Sequence, residues 1–248
     1  MELRVEPDAT AVAAAVAERL LQACRRGRRP LGLATGRTME PVYAALAERW
    51  EALPALERAV LSQCWSSFNL DEYVGLATSD PRSFLSFMHQ HLTAPLALDP
   101  ARVKLPEGAA ADPAAEAARY AADLAAAGGI GLQLLGLGLN GHVGFNEPPC
   151  ATDARCRCLP LSPATRQQNA AAFGGDPALV PELAITLGLA EILAAEEILL
   201  VVTGPAKADI LRRVLEEPPT AALPASWLQQ HRAVTVIADR EAAPWVQG

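Results

Sequence analysis

The chain has 248 residues, of which 51% are hydrophobic and 20% charged. This balance excludes disordered, collagen-like and coiled-coil classes and is typical of a globular protein with a hydrophobic core. The 28 acidic and 21 basic residues give a net charge of −7, so we expect neither a nucleic-acid partner nor an anionic membrane surface.

The N-terminus and the cysteines favour a cytoplasmic protein. The sequence has no apolar run of membrane-spanning length, and its start lacks the basic and then apolar order of a signal peptide. An odd number of unevenly spaced cysteines argues against a disulfide framework. They also lack the Cys-x-x-Cys spacing of a zinc site. We therefore expect reduced thiols and no metal for Cys24, Cys64, Cys150, Cys156 and Cys158.

Short apolar runs alternate with stretches of helical periodicity along the chain. In chain order, the pattern predicts a helix at 9–25, a strand at 31–35, a helix at 38–50, a strand at 66–70, helices at 83–92 and 113–127, strands at 130–136 and 198–203, a helix at 205–215 and a strand at 233–238. This alternation predicts one α/β domain over residues 1–248, with an open, mainly parallel sheet and helices on both faces.

Residues 148–181 differ from the rest because their periodicity is weak and they contain prolines, arginines and a Gly174-Gly175 pair. This composition favours a mobile excursion. We predict that residues 152–175 form a lid over a bound ligand. The alternative is an ordered, helix-containing connection whose arginines are solvated.

Two strand ends of the predicted sheet carry groups that suit an anion. Ligands of open parallel sheets bind at the carboxyl ends of the strands. Thr35-Gly36-Arg37-Thr38 follows one strand and opens a helix, so its amides and hydroxyls could cradle a phosphate, or it could be a tight turn. Lys207 lies at a similar junction, where an ammonium could pair with phosphate or be solvated.

A glycine-rich loop after the strand at 130–136 contains a candidate proton shuttle. Gly136-x-Gly138-x-x-Gly141 matches the dinucleotide-binding fingerprint, but the glycines and prolines that follow prevent the helix that this fingerprint needs, so we expect no dinucleotide cofactor. His142 lies five residues before Glu147 and close to Asn140. A carboxylate beside an imidazole suits proton transfer near neutral pH, although a loop histidine can also be structural.

A second acidic candidate follows the strand at 66–70. Asp71 and Glu72 could provide a general base, or they could be a helix N-terminal acidic pair or a buried structural ion. His89 and His91 lie two residues apart in a helical stretch and therefore on different faces, so we do not expect them to share a metal.

Three segments closely resemble the glucosamine-6-phosphate deaminase (glucosamine/galactosamine-6-phosphate isomerase) family. They are residues 69–76 (NLDEYVGL), 136–148 (GLGLNGHVGFNEP) and 223–231 (LPASWLQQH), and the similarity extends from the first predicted strand to Glu241. The related 6-phosphogluconolactonases share a Gly-x-x-Gly-His loop but lack the Phe-Asn-Glu-Pro continuation and the Asn-x-Asp-Glu-Tyr segment.

The resemblance implies a Rossmann-like fold and a cofactor-independent conversion of glucosamine 6-phosphate and water to fructose 6-phosphate and ammonia, in amino-sugar catabolism. It implies that Asp71 moves a proton between C2 and C1 of the opened sugar. His142 opens the pyranose ring, and Glu147 tunes it. Asn140 orients His142, where several family members carry aspartate.

The resemblance also implies that the sugar phosphate contacts Thr35, Gly36, Thr38, Arg166 and Lys207. Arg37 replaces the glycine commonly found in this loop. If that position needs a left-handed backbone, arginine costs about 1 kcal/mol or more.

Three other functions stay open from the sequence. They are deamination of galactosamine 6-phosphate, 6-phosphogluconolactone hydrolysis, and non-catalytic sensing of a sugar phosphate. Because the sequence ends seven residues after Glu241, whereas some hexameric family members have longer tails, we expect a monomer or small homo-oligomer.

Overall fold

The protein is built around a seven-stranded parallel sheet in a computed structural model that describes residues 1–246. The strands of the protein are, in chain order, β1 (Glu2–Glu6), β2 (Leu31–Leu33), β3 (Ser67–Asn69), β4 (Asp71–Tyr73), β5 (Val103–Lys104), β6 (Leu132–Gly136), β7 (Arg157–Pro160), β8 (Leu183–Thr186), β9 (Glu197–Val202) and β10 (Val234–Asp239). The main sheet has the order β1-β10-β9-β6-β2-β3-β5, and all its pairs are parallel. The predicted mainly parallel α/β architecture is confirmed.

The helices connect these strands and cover the sheet. They are α1 (Ala9–Arg26), α2 (Glu40–Glu51), α3 (Ala55–Cys64), α4 (Phe84–Met88), α5 (Pro113–Ala126), α6 (Pro163–Asn169), α7 (Leu189–Leu193) and α8 (Ala208–Glu216). Capping residues fix both ends of α1. The Asp8 carboxylate accepts the N–H of Ala11 at 2.8 Å at the N-terminus, and Gly27 adopts a φ of 57° at the C-terminus. Within residues 1–246, no helix has the length and hydropathy that a membrane span requires.

A second, three-stranded sheet was not predicted. In it β8 pairs antiparallel with both β4 and β7, and the register places Asp71 opposite Thr186. Its strands have three or four residues, which is too short for alternation to be recognised. The prediction also missed the charged edge strand β1, the two-residue β5, and the helices α3, α6 and α7.

The segment at 152–175 contains more regular structure than its weak periodicity indicates. It includes β7, α6 and a 3₁₀ helix at Ala170–Phe173. Phe173 packs edge-on against Tyr73 of β4, with 5.5 Å between ring centroids, in a small apolar cluster separate from the main core. The segment is therefore built on the second sheet, beside the ends of the parallel strands.

Candidate active site

A cavity of about 630 Å³ lies at the carboxyl ends of β2 and β6, next to β4 and the 3₁₀ turn after α6. This volume is in the range of small-molecule sites. The sequence-predicted residues that line it are Thr35, Gly36, Thr38, Asp71, His142 and Lys207. The fold thus brings together side chains that are up to 172 positions apart, from Thr35 to Lys207.

The loop after β2 has the features of an anion cradle. Gly36 takes a φ of 104°, and its carbonyl accepts the N–H of Met39 at 2.8 Å. Within residues 1–246, no protein acceptor binds the N–H groups of Gly36, Arg37 or Thr38. All three residues line the cavity just before α2, where the helix dipole favours negative charge. The half-buried Lys207 adds an ammonium, whose pKa is lowered by burial.

Arg37 carries no backbone strain. The left-handed conformation of this loop falls on Gly36, and the one non-glycine residue with positive φ in the described chain is Ala97. Position 37 does not need a left-handed backbone, so arginine there has no conformational cost of this kind.

Asp71 and Glu72 are neighbours in β4 with different surroundings. Asp71 lines the cavity with a relative exposure of 6%. Burial, reinforced by the charge of Glu72, raises the pKa of Asp71 to about 8. Glu72 instead accepts the N–H groups of Tyr73, Phe84 and Leu85 at 2.8, 2.9 and 2.8 Å and fixes the start of α4. Glu72 is thus the structural carboxylate, and Asp71 is the one available for chemistry.

The tautomer of His142 follows from its hydrogen bonds. The Oδ1 atom of Asn140 lies 2.6 Å from Nδ1 of His142 and also accepts the backbone N–H of His142 at 3.2 Å. Since this amide oxygen can only accept, Nδ1 carries the proton and Nε2 keeps its lone pair. Burial lowers the pKa of His142 to about 4, the charge of Glu147 opposes this shift, and Lys207 adds to it. His142 is therefore a neutral imidazole with Nε2 as its acceptor.

Two glycines of the loop after β6 allow close approach of the reactive groups. A Cβ on Gly138 would lie 2.3 Å from the imidazole of His142. A Cβ on Gly144, whose φ is 56°, would lie 3.1 Å from Oγ1 of Thr186 and 3.5 Å from Oδ2 of Asp71. No helix begins in residues 137–156. The glycine pattern thus serves packing around His142 and Asp71.

Glu147 influences His142 through its charge and not through a hydrogen bond. Its carboxylate accepts the N–H and Oγ–H of Ser162 at 3.1 and 2.7 Å, together with the hydroxyl of Thr165. Its effect on His142 is electrostatic. Glu147 therefore joins the loop after β6 to the start of α6.

Arg166 is the expected phosphate ligand that the structure does not place at the cavity. One nitrogen of its guanidinium donates to the carbonyl of Ala178 at 3.2 Å, and another lies 4.0 Å from Glu182. The helical turn of α6 directs Gln168 and Asn169 toward the cavity instead. Arg82, which lines the cavity from the loop before α4, was not predicted from the sequence, because the residues around it form no recognisable motif.

The remaining histidines and the cysteines do not form a metal centre. No group of three or more His, Cys, Asp or Glu residues within residues 1–246 could hold a metal ion. All five cysteines are free. His91 packs on Phe87 with 4.4 Å between ring centroids, and His89 is exposed.

The hydrogen bond between Asn140 and His142 yields a prediction. We expect Asn140→Asp to raise the pKa of His142 above about 4, because a carboxylate beside Nδ1 favours the imidazolium. An NMR titration of the imidazole resonances measures this pKa. Asn140→Ala is the uncharged control and should not raise it comparably; equal pKa values in the wild type and Asn140→Asp would contradict the assigned contact.

Comparisons with known proteins agree on one family. Residues 6–237 match the family model described as glucosamine-6-phosphate isomerases/6-phosphogluconolactonase. The chain is 42% identical to a glucosamine-6-phosphate deaminase of Rhodopirellula baltica, covering 98% of this chain and 95% of that protein. It is 44% identical to glucosamine-6-phosphate deaminase 2 of Bacillus subtilis, covering 86% and 84%.

Solved structures give the same result at the level of the fold. A monomeric glucosamine-6-phosphate deaminase superposes with a TM-score of 0.92 and 34% identity over 99% of this chain and 100% of that one. A 6-phosphogluconolactonase from Leishmania guyanensis has a TM-score of 0.75 and 21% identity over 100% and 99%. The second likeness extends to the fold alone.

Proposed function

The chain belongs to the glucosamine-6-phosphate isomerase/6-phosphogluconolactonase family, and on this premise we propose that it is a glucosamine-6-phosphate deaminase. The reaction converts glucosamine 6-phosphate and water to fructose 6-phosphate and ammonia. The observation that carries the proposal is the placement of the Asp71 carboxylate and the neutral His142 imidazole on one cavity beside an anion cradle. Relatives named for this activity support it.

The first step of the proposed reaction is opening of the sugar ring. The phosphate binds at Gly36 and Thr38, with Lys207 close by, and fixes the sugar in the cavity. Nε2 of His142 accepts the proton of the C1 hydroxyl and returns it to the ring oxygen as the C1–O bond of the ring breaks. Asn140 holds Nδ1 and so keeps Nε2 directed at the sugar; it is a positioning residue.

Isomerisation and loss of ammonia follow on the open chain. Asp71 removes the proton at C2 while the ammonium at C2 passes a proton to the C1 oxygen, which leaves a neutral enolamine. Asp71 then returns its proton to C1. The resulting C2 iminium takes up water and releases ammonia, leaving the C2 ketone. The ammonium of the substrate favours the ionised form of Asp71, so substrate binding offsets the raised pKa of that carboxyl.

An ammonia-release assay with glucosamine, galactosamine and N-acetylglucosamine 6-phosphates tests the function. We expect release from glucosamine 6-phosphate. Faster release from galactosamine 6-phosphate would assign the other amino sugar. No release from any of them, with hydrolysis of 6-phosphogluconolactone, would overturn the proposal in favour of a lactonase, and binding without turnover would indicate a sensor.

We also expect activity without a metal or nucleotide. The proposed steps need a carboxylate, an imidazole and an anion site, all of which the chain supplies. Activity should persist after exhaustive dialysis against a chelator and without added nucleotide. Loss of turnover on chelation that zinc restores would contradict this prediction.

We further propose that residues 152–175 act as a lid within a single domain. Gln168 and Asn169 line the cavity, and Glu147 fastens the start of α6. Closure would shield the enolamine from bulk water, while one water molecule remains for the later hydrolysis of the iminium. Hydrogen exchange across 152–175 should slow when substrate analogue saturates the site. Unchanged exchange, together with a normal KM for Arg166→Ala, would rule the lid out.

A sugar phosphate is the proposed small-molecule partner, and we propose that the enzyme acts in the cytoplasm as a monomer or small homo-oligomer. The described monomeric relative supports a monomer. Light scattering at working concentration measures the state.

A further inference from the structure

We propose that Arg37 is a ligand of the substrate phosphate and sets how tightly this chain holds it. This inference rests on the proposed function for the identity of the substrate. It follows from the position of Arg37 in the anion cradle and from the partners of the other cations at the cavity.

Three cationic side chains line the cavity, and two of them already have protein partners. Arg82 pairs with Asp80 through nitrogen–oxygen distances of 2.8 and 2.6 Å and lies over the ring of Phe173. Lys207 donates from Nζ to the carbonyl of Leu137 at 2.6 Å. Arg37 is exposed and, within residues 1–246, forms no ion pair. Arg37 borders this cavity and also a neighbouring pocket beside α1. Among the cations that line the cavity in the described residues, Arg37 is the one whose guanidinium has its full hydrogen-bonding capacity available.

The backbone around Arg37 adds to the same site. The residue lies between Gly36 and Thr38, whose N–H groups have no protein acceptor in the described chain. A guanidinium presents paired donors that match two phosphate oxygens. Glu40 also lines the cavity, yet within residues 1–246 no ion pair joins it to Arg37. A phosphate in the cradle would thus meet backbone donors and a planar cation together.

The overall charge makes a local cation necessary. A net charge of −7 repels the dianionic phosphate group of the substrate at long range, so attraction has to come from groups at the cavity. Arg166, one of the two cations that the family resemblance assigns to the phosphate, faces Ala178 and Glu182. Arg37 occupies the place where such a charge is needed.

The test compares Arg37→Ala, Arg37→Lys, Arg166→Ala and a control, Arg28→Ala. Arg28 is exposed, forms no ion pair in the described residues and lies outside the cavity. Arg28→Ala therefore changes the net charge by the same amount as Arg37→Ala without altering the cavity. For Arg37→Ala we expect KM for glucosamine 6-phosphate to rise roughly tenfold with kcat nearly unchanged, as for loss of one charged hydrogen-bonding partner. The KM of Arg37→Lys should lie between those of the wild type and Arg37→Ala, because lysine keeps the positive charge but lacks the paired donors of a guanidinium.

Calorimetric titration with inorganic phosphate provides a readout independent of turnover. Its affinity should fall by a similar factor in Arg37→Ala and stay at the wild-type value in Arg28→Ala. The inference is overturned if Arg37→Ala leaves KM and phosphate affinity unchanged, if Arg28→Ala weakens both equally, or if Arg166→Ala alone weakens both. Absence of ammonia release by the wild type would refute the proposed function, while the titration would still decide the role of Arg37.

Discussion

Asp71→Asn is expected to lower turnover about a hundredfold or more, because a positioned general base contributes roughly 10²–10⁴-fold. The amide has nearly the same shape, so the cavity and the phosphate site stay intact and KM should change little. Steady-state kinetics of ammonia release measure both constants. Glu40→Gln, which removes another carboxylate from the same cavity, is the matched control and should retain activity. A variant with more than about a tenth of wild-type turnover would exclude Asp71 as the base.

The same substitution should stabilise the protein at alkaline pH. The pKa of Asp71 is raised to about 8 in the folded chain, against about 3.9 when unfolded. The folded state therefore binds the proton more tightly, and its stability falls as pH rises from about 4 through about 8. Asparagine has no such dependence. The Tm of Asp71→Asn relative to the wild type should rise between about pH 5 and about pH 9, by roughly 2–4 °C for each kcal/mol of relative stabilisation. The same Tm difference at both pH values would contradict the raised pKa of Asp71.

Gly138→Ala is the second substitution with a large expected effect. Its Cβ would lie 2.3 Å from the imidazole of His142, so the ring must leave its present position at the cavity. A misplacement of about 1 Å can cost about a hundredfold in rate. We expect kcat to fall by about this factor, while the affinity for inorganic phosphate, which binds at the loop after β2, is retained.

Gly136→Ala provides the control for this prediction. Its Cβ would meet the terminal methyl of Met39 at 3.5 Å, an ordinary contact, and Gly136 has no positive φ. Both variants add one methyl group near the end of β6, but only one displaces His142. Similar loss of turnover in the two would mean that the strand end, and not the histidine, is sensitive to the added methyl.

The parts of the fold that the sequence predicts are those with enough length to show a period. β6, β9 and β10 are apolar runs of five or six residues, and α1 has a buried stripe through Val12, Val16 and Leu20. The second sheet escapes prediction because three or four residues per strand carry no periodicity. Its existence depends on pairing between distant segments, as between β4 and β8.

The candidate site divides in a similar way. Thr35, Asp71, His142 and Lys207 follow strands of a parallel sheet, and the topology alone brings them to one edge. The direction of each side chain cannot be predicted in this way. Alternation in β4 places Asp71 and Glu72 on opposite faces, but which of them faces the ligand depends on what packs on each side. The partners of Glu147 and Arg166 depend likewise on where α6 lies, and no pattern in residues 152–175 encodes that position.

The opposite directions of Asp71 and Glu72 restrict how this region can change in evolution. A single-residue insertion or deletion just before Asp71 would turn every following side chain of β4 to the other face. Glu72 would then enter the cavity, and Asp71, one methylene shorter, would be left to reach the amides that start α4. Sequence drift here is thus confined to replacement at fixed length, and changes of length among homologues should fall outside residues 69–73.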